Sequence, residues 1–174
     1  MHLLAISGSL RARSSNTTLL HAAGRVLPVE TTFSIYNGLP LLPAFNPDLD
    51  VEPALPSVDT FRRELAHADA VLISSPEYAH GVPGTLKNAL DWTVGSGEFV
   101  GKPVAIVNTS VQSQFVTDQL RETLSVMMAR VIVSEALPLS FRPDNADELL
   151  ADEAACAALR SAVSALLQAV RPAA

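Results

Sequence analysis

The sequence runs to 174 residues, 48% hydrophobic and 17% charged, with a formal net charge of −6. That length and composition point to one globular domain over residues 1–174 and exclude a disordered or collagen-like chain. The acidic balance argues against nucleic-acid binding, which neutralises phosphates with a basic face, and no apolar run approaches the ~20 residues that cross a bilayer. Met1–Ser7 lacks the features of a signal peptide, and the single cysteine, Cys156, offers neither an internal disulfide nor a thiolate cluster for a metal. The expectation is a cytoplasmic protein with no metal site, no membrane contact and no nucleic-acid partner.

Four short apolar runs recur along the chain: Leu3–Ile6, Ala70–Ile73, Val104–Val107 and Val131–Val133. None alternates with polar residues, as expected of strands buried on both faces of a parallel sheet. A fifth run, Thr32–Tyr36, does alternate and reads as an edge strand. Helical periodicity lies between them. Asn16–Leu27 carries Leu19, Leu20, Ala23 and Leu27 on one face, with Ser15 or Asn16 as N-cap and Pro28 as stop. Ser57–Ala68 follows, then a helix from Pro83 to about Thr93, then Gln114–Ala129. The last, Asp147–Val170, opens on acidic residues that suit a helix N-terminus. Strict alternation of strand and helix predicts a doubly wound open sheet. Only Asn37–Pro56, with Pro40, Pro43, Pro47, Pro53 and Pro56, resists the pattern; its length marks a functional loop or a partner-facing arm.

In such sheets ligands bind beyond the carboxyl ends of the strands. Three loops occupy that edge: Gly8–Asn16, Pro76–Gly84 and Asn108–Ser113. The first is neither a dinucleotide fingerprint nor a P-loop. It nevertheless holds what an anion needs: the hydroxyls of Ser9, Ser14 and Ser15, the Asn16 amide, the fork of Arg11 and the start of a helix. An ordinary Ser-rich turn with an N-cap would use the same residues. The second loop places two prolines, two glycines and Tyr78 at a strand end, a rigid turn able to offer backbone groups to the edge of a flat ligand. The third is short and polar and by itself says little. All 18 acidic residues lie beyond residue 29, so the first loop sits in an acid-free segment that contains Arg11, Arg13 and Arg25.

The run Gly8-Ser9-Leu10-Arg11-x-x-Ser14-Ser15-Asn16 and the longer Pro76-Glu77-Tyr78…Gly81-x-Pro83-Gly84-x-Leu86-Lys87-Asn88-Ala89-Leu90-Asp91-Trp92 resemble the NADPH-dependent FMN reductase family, which includes quinone, azo-dye and chromate reductases. The resemblance implies a flavodoxin-like three-layer sandwich: a five-stranded parallel sheet in the order 2-1-3-4-5 with helices on both faces. It implies that Ser9, Arg11, Ser15 and Asn16 hold the phosphate of FMN. Pro76, Glu77, Tyr78 and Gly81 would lie along the ring. Lys87–Trp92 would support that loop and an oligomer contact, homodimeric or homotetrameric; for Leu86, Ala89 and Leu90, plain core packing is the simpler account. The sequence departs from the family at Ala79, where Asn is frequent, which removes one amide contact to the ring edge. It departs again in Asn108–Ser113, which lacks the usual glycines; there Thr109 and Ser110 would contribute backbone N–H groups.

The activity implied is a ping-pong transfer of hydride from NADPH or NADH to bound FMN, then of two electrons to a small acceptor such as a quinone, free flavin, azo compound or chromate. The flavin carries that chemistry, so no acid–base pair is required. The Pro-rich arm, or a second subunit, would wall the ring. Two other readings stand beside this one. A flavodoxin-like electron carrier would hold FMN without reacting with NAD(P)H. A small hydrolase would use Ser9 and His80, with Asp91 as third member, although no G-x-S-x-G elbow is present.

Overall fold

The structure is a computed structural model that describes residues 1–170; the last four residues of the expected domain lie outside the described residues. Five parallel strands pair in the order β2-β1-β3-β4-β5, where β1 is His2–Ser7, β2 Thr32–Tyr36, β3 Ala70–Ser74, β4 Pro103–Asn108 and β5 Arg130–Ala136. This is the expected order. The helices between them are α1 (Ser15–Val26), α2 (Pro56–His67), α3 (Gly84–Asp91), α4 (Gln114–Val126), α5 (Ala146–Ala151) and α6 (Glu153–Val170).

The period of two along each strand divides the core into two layers. Leu4, Ile6, Val71, Ile73, Val104 and Ile106 meet α2, α3 and α4 through Val58, Phe61, Leu65, Leu86, Leu90, Val116, Leu120 and Leu124. Leu3, Ala5, Ala70, Leu72, Ala105 and Val107 meet α1, α5 and α6 through Leu19, Leu20, Leu149, Leu159 and Leu166. Both faces of β1, β3 and β4 are therefore covered, which is why their sequences are apolar without alternation. Leu86, Ala89 and Leu90 are core residues, as the simpler account holds. The alternating strand, β2, is an edge. So is β5, whose uniform apolar run predicts a fully covered strand. It is only half-buried, and its pairing slips between Val104 and Ala105 of β4.

Two further expectations need correction. The first helix is capped by Ser14, whose hydroxyl accepts from the Thr17 N–H at 3.3 Å, one residue earlier than expected. The predicted Asp147–Val170 helix is two helices. Asn145 caps α5 by accepting from Glu148 N–H at 2.9 Å, and Asp152 turns extended. Its carboxylate then accepts from Ala155 N–H at 2.9 Å to start α6. A continuous helical pattern hides such a break because Asp is tolerated mid-helix yet preferred at a cap. α6 is 18 residues long with a mean hydropathy of 1.2, closer to a membrane span than the sequence suggests. Ala155, Leu159, Val163 and Leu166 pack it into the core.

The arm between β2 and α2 stands outside the alternation of strand and helix, as its composition indicated. It makes single 3₁₀ turns at Leu39–Leu41 and Pro47–Leu49 and is fastened to α3. Asn88 accepts from Phe45 N–H at 2.7 Å and donates to Pro43 C=O at 2.8 Å; Trp92 Nε1 donates to the same carbonyl at 2.8 Å. Phe45 and Trp92 meet edge to face at 5.1 Å. Behind them the mostly buried Arg62 guanidinium donates to Asp50 Oδ1 at 2.7 Å and to Trp92 C=O at 2.6 Å. So the Asn88 and Trp92 side chains hold the arm. At the opposite face, Arg25 and Asp147 pair at 2.7 Å between α1 and α5, holding the Asp147 carboxyl below its ordinary range.

Asn88→Ala leaves the Phe45 N–H and one Pro43 lone pair without their partner. We expect a loss of about 1–3 kcal/mol, read as a lower Tm in thermal denaturation, together with faster chymotryptic cleavage at Leu41 or Phe45 than at other sites.

Candidate active site

The chain leaves β1 in one direction for β2 and later returns to pair β3 on the other side, so the topological switch point lies between β1 and β3. Gly8 stands there. Its N–H donates to Ser74 C=O at 2.8 Å, and a Cβ at this position would sit 2.4 Å from Ser75 Oγ. Only glycine permits that approach. Above it opens a cleft of about 680 Å³, within the usual range for small-molecule sites.

The cleft gathers ten of the predicted residues: Ser9, Arg11, Ser14, Ser15, Asn16, Pro76, Glu77, Tyr78, Thr109 and Ser110. Ala79 and Gly81 are absent from its lining. It also takes in His80, Val111–Ser113 and Leu139–Arg142. This last group comes from the loop after β5, which the sequence reading did not single out. A signal existed, since Ser140-Phe141-Arg142-Pro143 follows the fifth strand at the same edge as the other three loops.

The floor is a buried polar network. Asn16 Oδ1 accepts from Ser74 Oγ at 3.0 Å and, more distantly, from Thr109 Oγ1 at 3.4 Å; Ser15 Oγ and Thr109 Oγ1 lie 3.2 Å apart. Fully buried Asn108 accepts from Ser75 N–H at 2.9 Å and donates to Thr117 Oγ1 at 2.9 Å. This side chain ties the ends of β3 and β4 to α4, a role the sequence reading missed. With Thr17 N–H spent on Ser14 Oγ and Thr18 N–H on Ser14 C=O, the Ser15 and Asn16 N–H groups open α1 with no intrahelical acceptor. Hydroxyl donors, two orphan amides, a helix N-terminus and Arg11 together fit a phosphate group.

The Pro76–Gly81 turn forms the second wall. Tyr78 and Gly81 exchange N–H···O=C bonds of 3.1 and 3.0 Å, with Ala79 at φ 50° and His80 at φ 57°. Positive φ at both central positions is the type I′ hairpin pattern, which favours Asn-Gly rather than Ala-His. Gly81 thus closes the turn. Two side chains brace it from α4's direction. Glu77 Oε2 accepts from Val116 N–H in the first turn of α4 at 3.1 Å, and Gln119 spans His80 C=O and Val82 N–H at 3.1 Å each. Glu77, expected along the ring, therefore also caps a helix. His80 stacks on Phe115 at 4.2 Å, and Asp91 pairs with Lys87 at 2.5 Å. Neither joins Ser9, whose hydroxyl accepts from Arg11 N–H at 3.3 Å, so no Ser-His-Asp triad is assembled.

Among the described residues three aromatic side chains are strongly exposed, Tyr78 and Phe115 at 51% and Phe141 at 36%, and all three surround this cleft or its His80 wall. The Pro-rich arm is absent from the lining of this cleft. The left-handed Ala79 generates a prediction. Ala79→Asn should stabilise the protein by about 0.5–1 kcal/mol, because Asn tolerates this conformation better than Ala; thermal denaturation would show a Tm higher by roughly 1–4 °C.

Comparison with known proteins places this geometry. A 2-hydroxy-1,4-benzoquinone reductase of Burkholderia sp is 39% identical over 117 residues, covering 64% of this chain and 61% of that protein. An NADPH:quinone oxidoreductase of Arabidopsis thaliana is 38% identical over 118 residues, covering 63% and 58%. The matched stretch thus spans less than two thirds of either relative. FerB, a flavoenzyme NAD(P)H:(acceptor) oxidoreductase from Paracoccus denitrificans, superposes with a TM-score of 0.82 over 97% of this chain and 96% of its own, at 26% identity. The family model described as NADPH-dependent FMN reductase matches residues 1–144, and the chain belongs to that family.

Proposed function

We propose that the protein holds FMN in this cleft and acts as an NAD(P)H-dependent oxidoreductase on a small planar acceptor of the quinone type. The observation that carries the reading is the donor set at the β1–β3 switch point: Ser9, Arg11, Ser15 and Asn16 around the open N-terminus of α1. Ser14 serves this set as the cap that fixes the helix start. Family membership and the flavoenzyme neighbour support FMN as the group and NAD(P)H as its reductant. FMN, held by Ser9, Arg11, Ser15 and Asn16, would supply two-electron redox chemistry between NAD(P)H and the acceptor.

The chain's own work is binding, orientation and charge. The α1 N-terminus and Arg11 neutralise the phosphate. Tyr78 and Gly81 spend their N–H groups on each other, so Glu77, Ala79 and His80 retain N–H groups free of hydrogen bonds among the described residues. Thr109 and Ser110 close the β4 side. Such fixed dipoles favour added negative charge on a ring beside them without reorganising. The aromatic rim of Tyr78, Phe115 and Phe141 favours flat partners, which stack on aromatic faces. Glu77 is the one carboxylate among the lining residues. That favours a reductase taking anionic dinucleotide over an electron carrier docking through an acidic patch.

The purified protein, given FMN, should show the flavin absorbance bands and oxidise NADPH or NADH steadily in the presence of a benzoquinone. Flavin uptake with no turnover on any acceptor would assign the carrier role instead, and no flavin uptake would remove the FMN reading. Arg11→Ala should weaken FMN binding roughly tenfold, the effect of losing one charge-assisted hydrogen bond, measured by quenching of flavin fluorescence.

A further inference from the structure

Two permanently cationic side chains line the cleft, Arg11 and Arg142, and the second has no part in the phosphate loop. Arg142 lies on the segment after β5, which is fastened at both ends. Leu137 N–H donates to Asn108 C=O at 2.8 Å at the tip of β4, and Asp147 pairs with Arg25 near the end of α1. Between these points Leu139 packs into the α1 layer of the core, and buried Pro143 restricts the backbone just beyond Arg142. Ser140, Phe141 and Arg142 thereby line the same cleft as Ser14, Ser15 and Asn16. Arg142 is exposed and forms no ion pair among the described residues.

We propose that Arg142 is a second cation for the FMN phosphate, acting with Arg11 and the α1 N-terminus; the inference rests on the FMN reading above. Charge balance favours it. A phosphate monoester carries about −1.5 to −2 at neutral pH, whereas a helix N-terminus supplies the equivalent of roughly +0.5 and Arg11 a single unit. Those two sources reach roughly +1.5, short of the doubly ionised phosphate, and one further guanidinium takes the total past it. Arginine suits the position because its planar fork meets two phosphate oxygens at once and never loses its proton. The loop after β5 would then be a binding element in its own right, held in reach by the Leu137 and Asp147 attachments.

The test compares FMN with riboflavin, which lacks the phosphate, by fluorescence quenching on the apoprotein and its variants. Wild-type protein that fails to bind FMN would remove the FMN reading itself and, with it, the ground for this inference. With wild-type binding established, Arg142→Ala should bind FMN about tenfold more weakly and riboflavin with unchanged affinity. The salt dependence of FMN affinity should become shallower, and Arg142→Lys should recover part of the loss. Unchanged FMN affinity in Arg142→Ala overturns the proposal, and a raised KM for NADPH with none for NADH would then reassign the residue to the 2′-phosphate. An equal loss for FMN and riboflavin also overturns it, as the mark of a merely structural role.

Discussion

Two buried strands end side by side with no side chain between them, and the site grows from that contact. Gly8 lets the end of β1 lie against Ser74 and Ser75 at a distance no Cβ would allow. Because β1 and β3 are so close, the loops that leave them must diverge, one into α1 and the other into the Pro76–Gly81 turn. The Ser74 hydroxyl is left within reach of Asn16, and the Ser75 N–H within reach of Asn108. Both amides then recruit the β4 side through Thr109 and Thr117. Buried polar chains of this kind are rigid when every member is satisfied, so the floor of the cleft is set before any ligand arrives.

The site divides its polar groups into those used for assembly and those left open. Ser14, Asn108, Gln119 and one oxygen of Glu77 are committed to backbone N–H groups of the protein itself. The Ser15 and Asn16 N–H groups, Arg11 and Arg142 are not. This division explains the uneven charge of the chain. A net charge of −6 is compatible with an anionic cofactor because the first 29 residues contain no acid and the helix carrying the open amides begins there.

The sheet was largely readable in advance because burial on both faces leaves an unmistakable apolar run, as in Leu3–Ile6 and Val104–Val107. The β1–α1 loop stood out because hydroxyls, an arginine and a helix start fall together within nine residues. What escaped depended on partners distant in sequence. Gln119 looks like any polar residue on a helix surface until the hairpin it braces, 39 residues away, is in place. The break at Asp152 hides in an unbroken helical pattern, and Arg142 gains meaning only when β5 is known to deliver its loop to the same edge as Ser9. The arm was visible as an anomaly of composition, but not its attachment, which relies on Asn88 and Trp92.

That attachment bears on what the Lys87–Trp92 motif signifies. Leu86, Ala89 and Leu90 fill the core, Lys87 and Asp91 pair with each other, and Asn88 and Trp92 grip the arm. None of these side chains lines the cleft. The Lys87–Trp92 part of the longer signature is therefore an instruction for assembly, whereas its Pro76–Tyr78 part lines the cleft. The exposed rings of Tyr78, Phe115 and Phe141 stand apart from that assembly, since their replacement disturbs neither core layer.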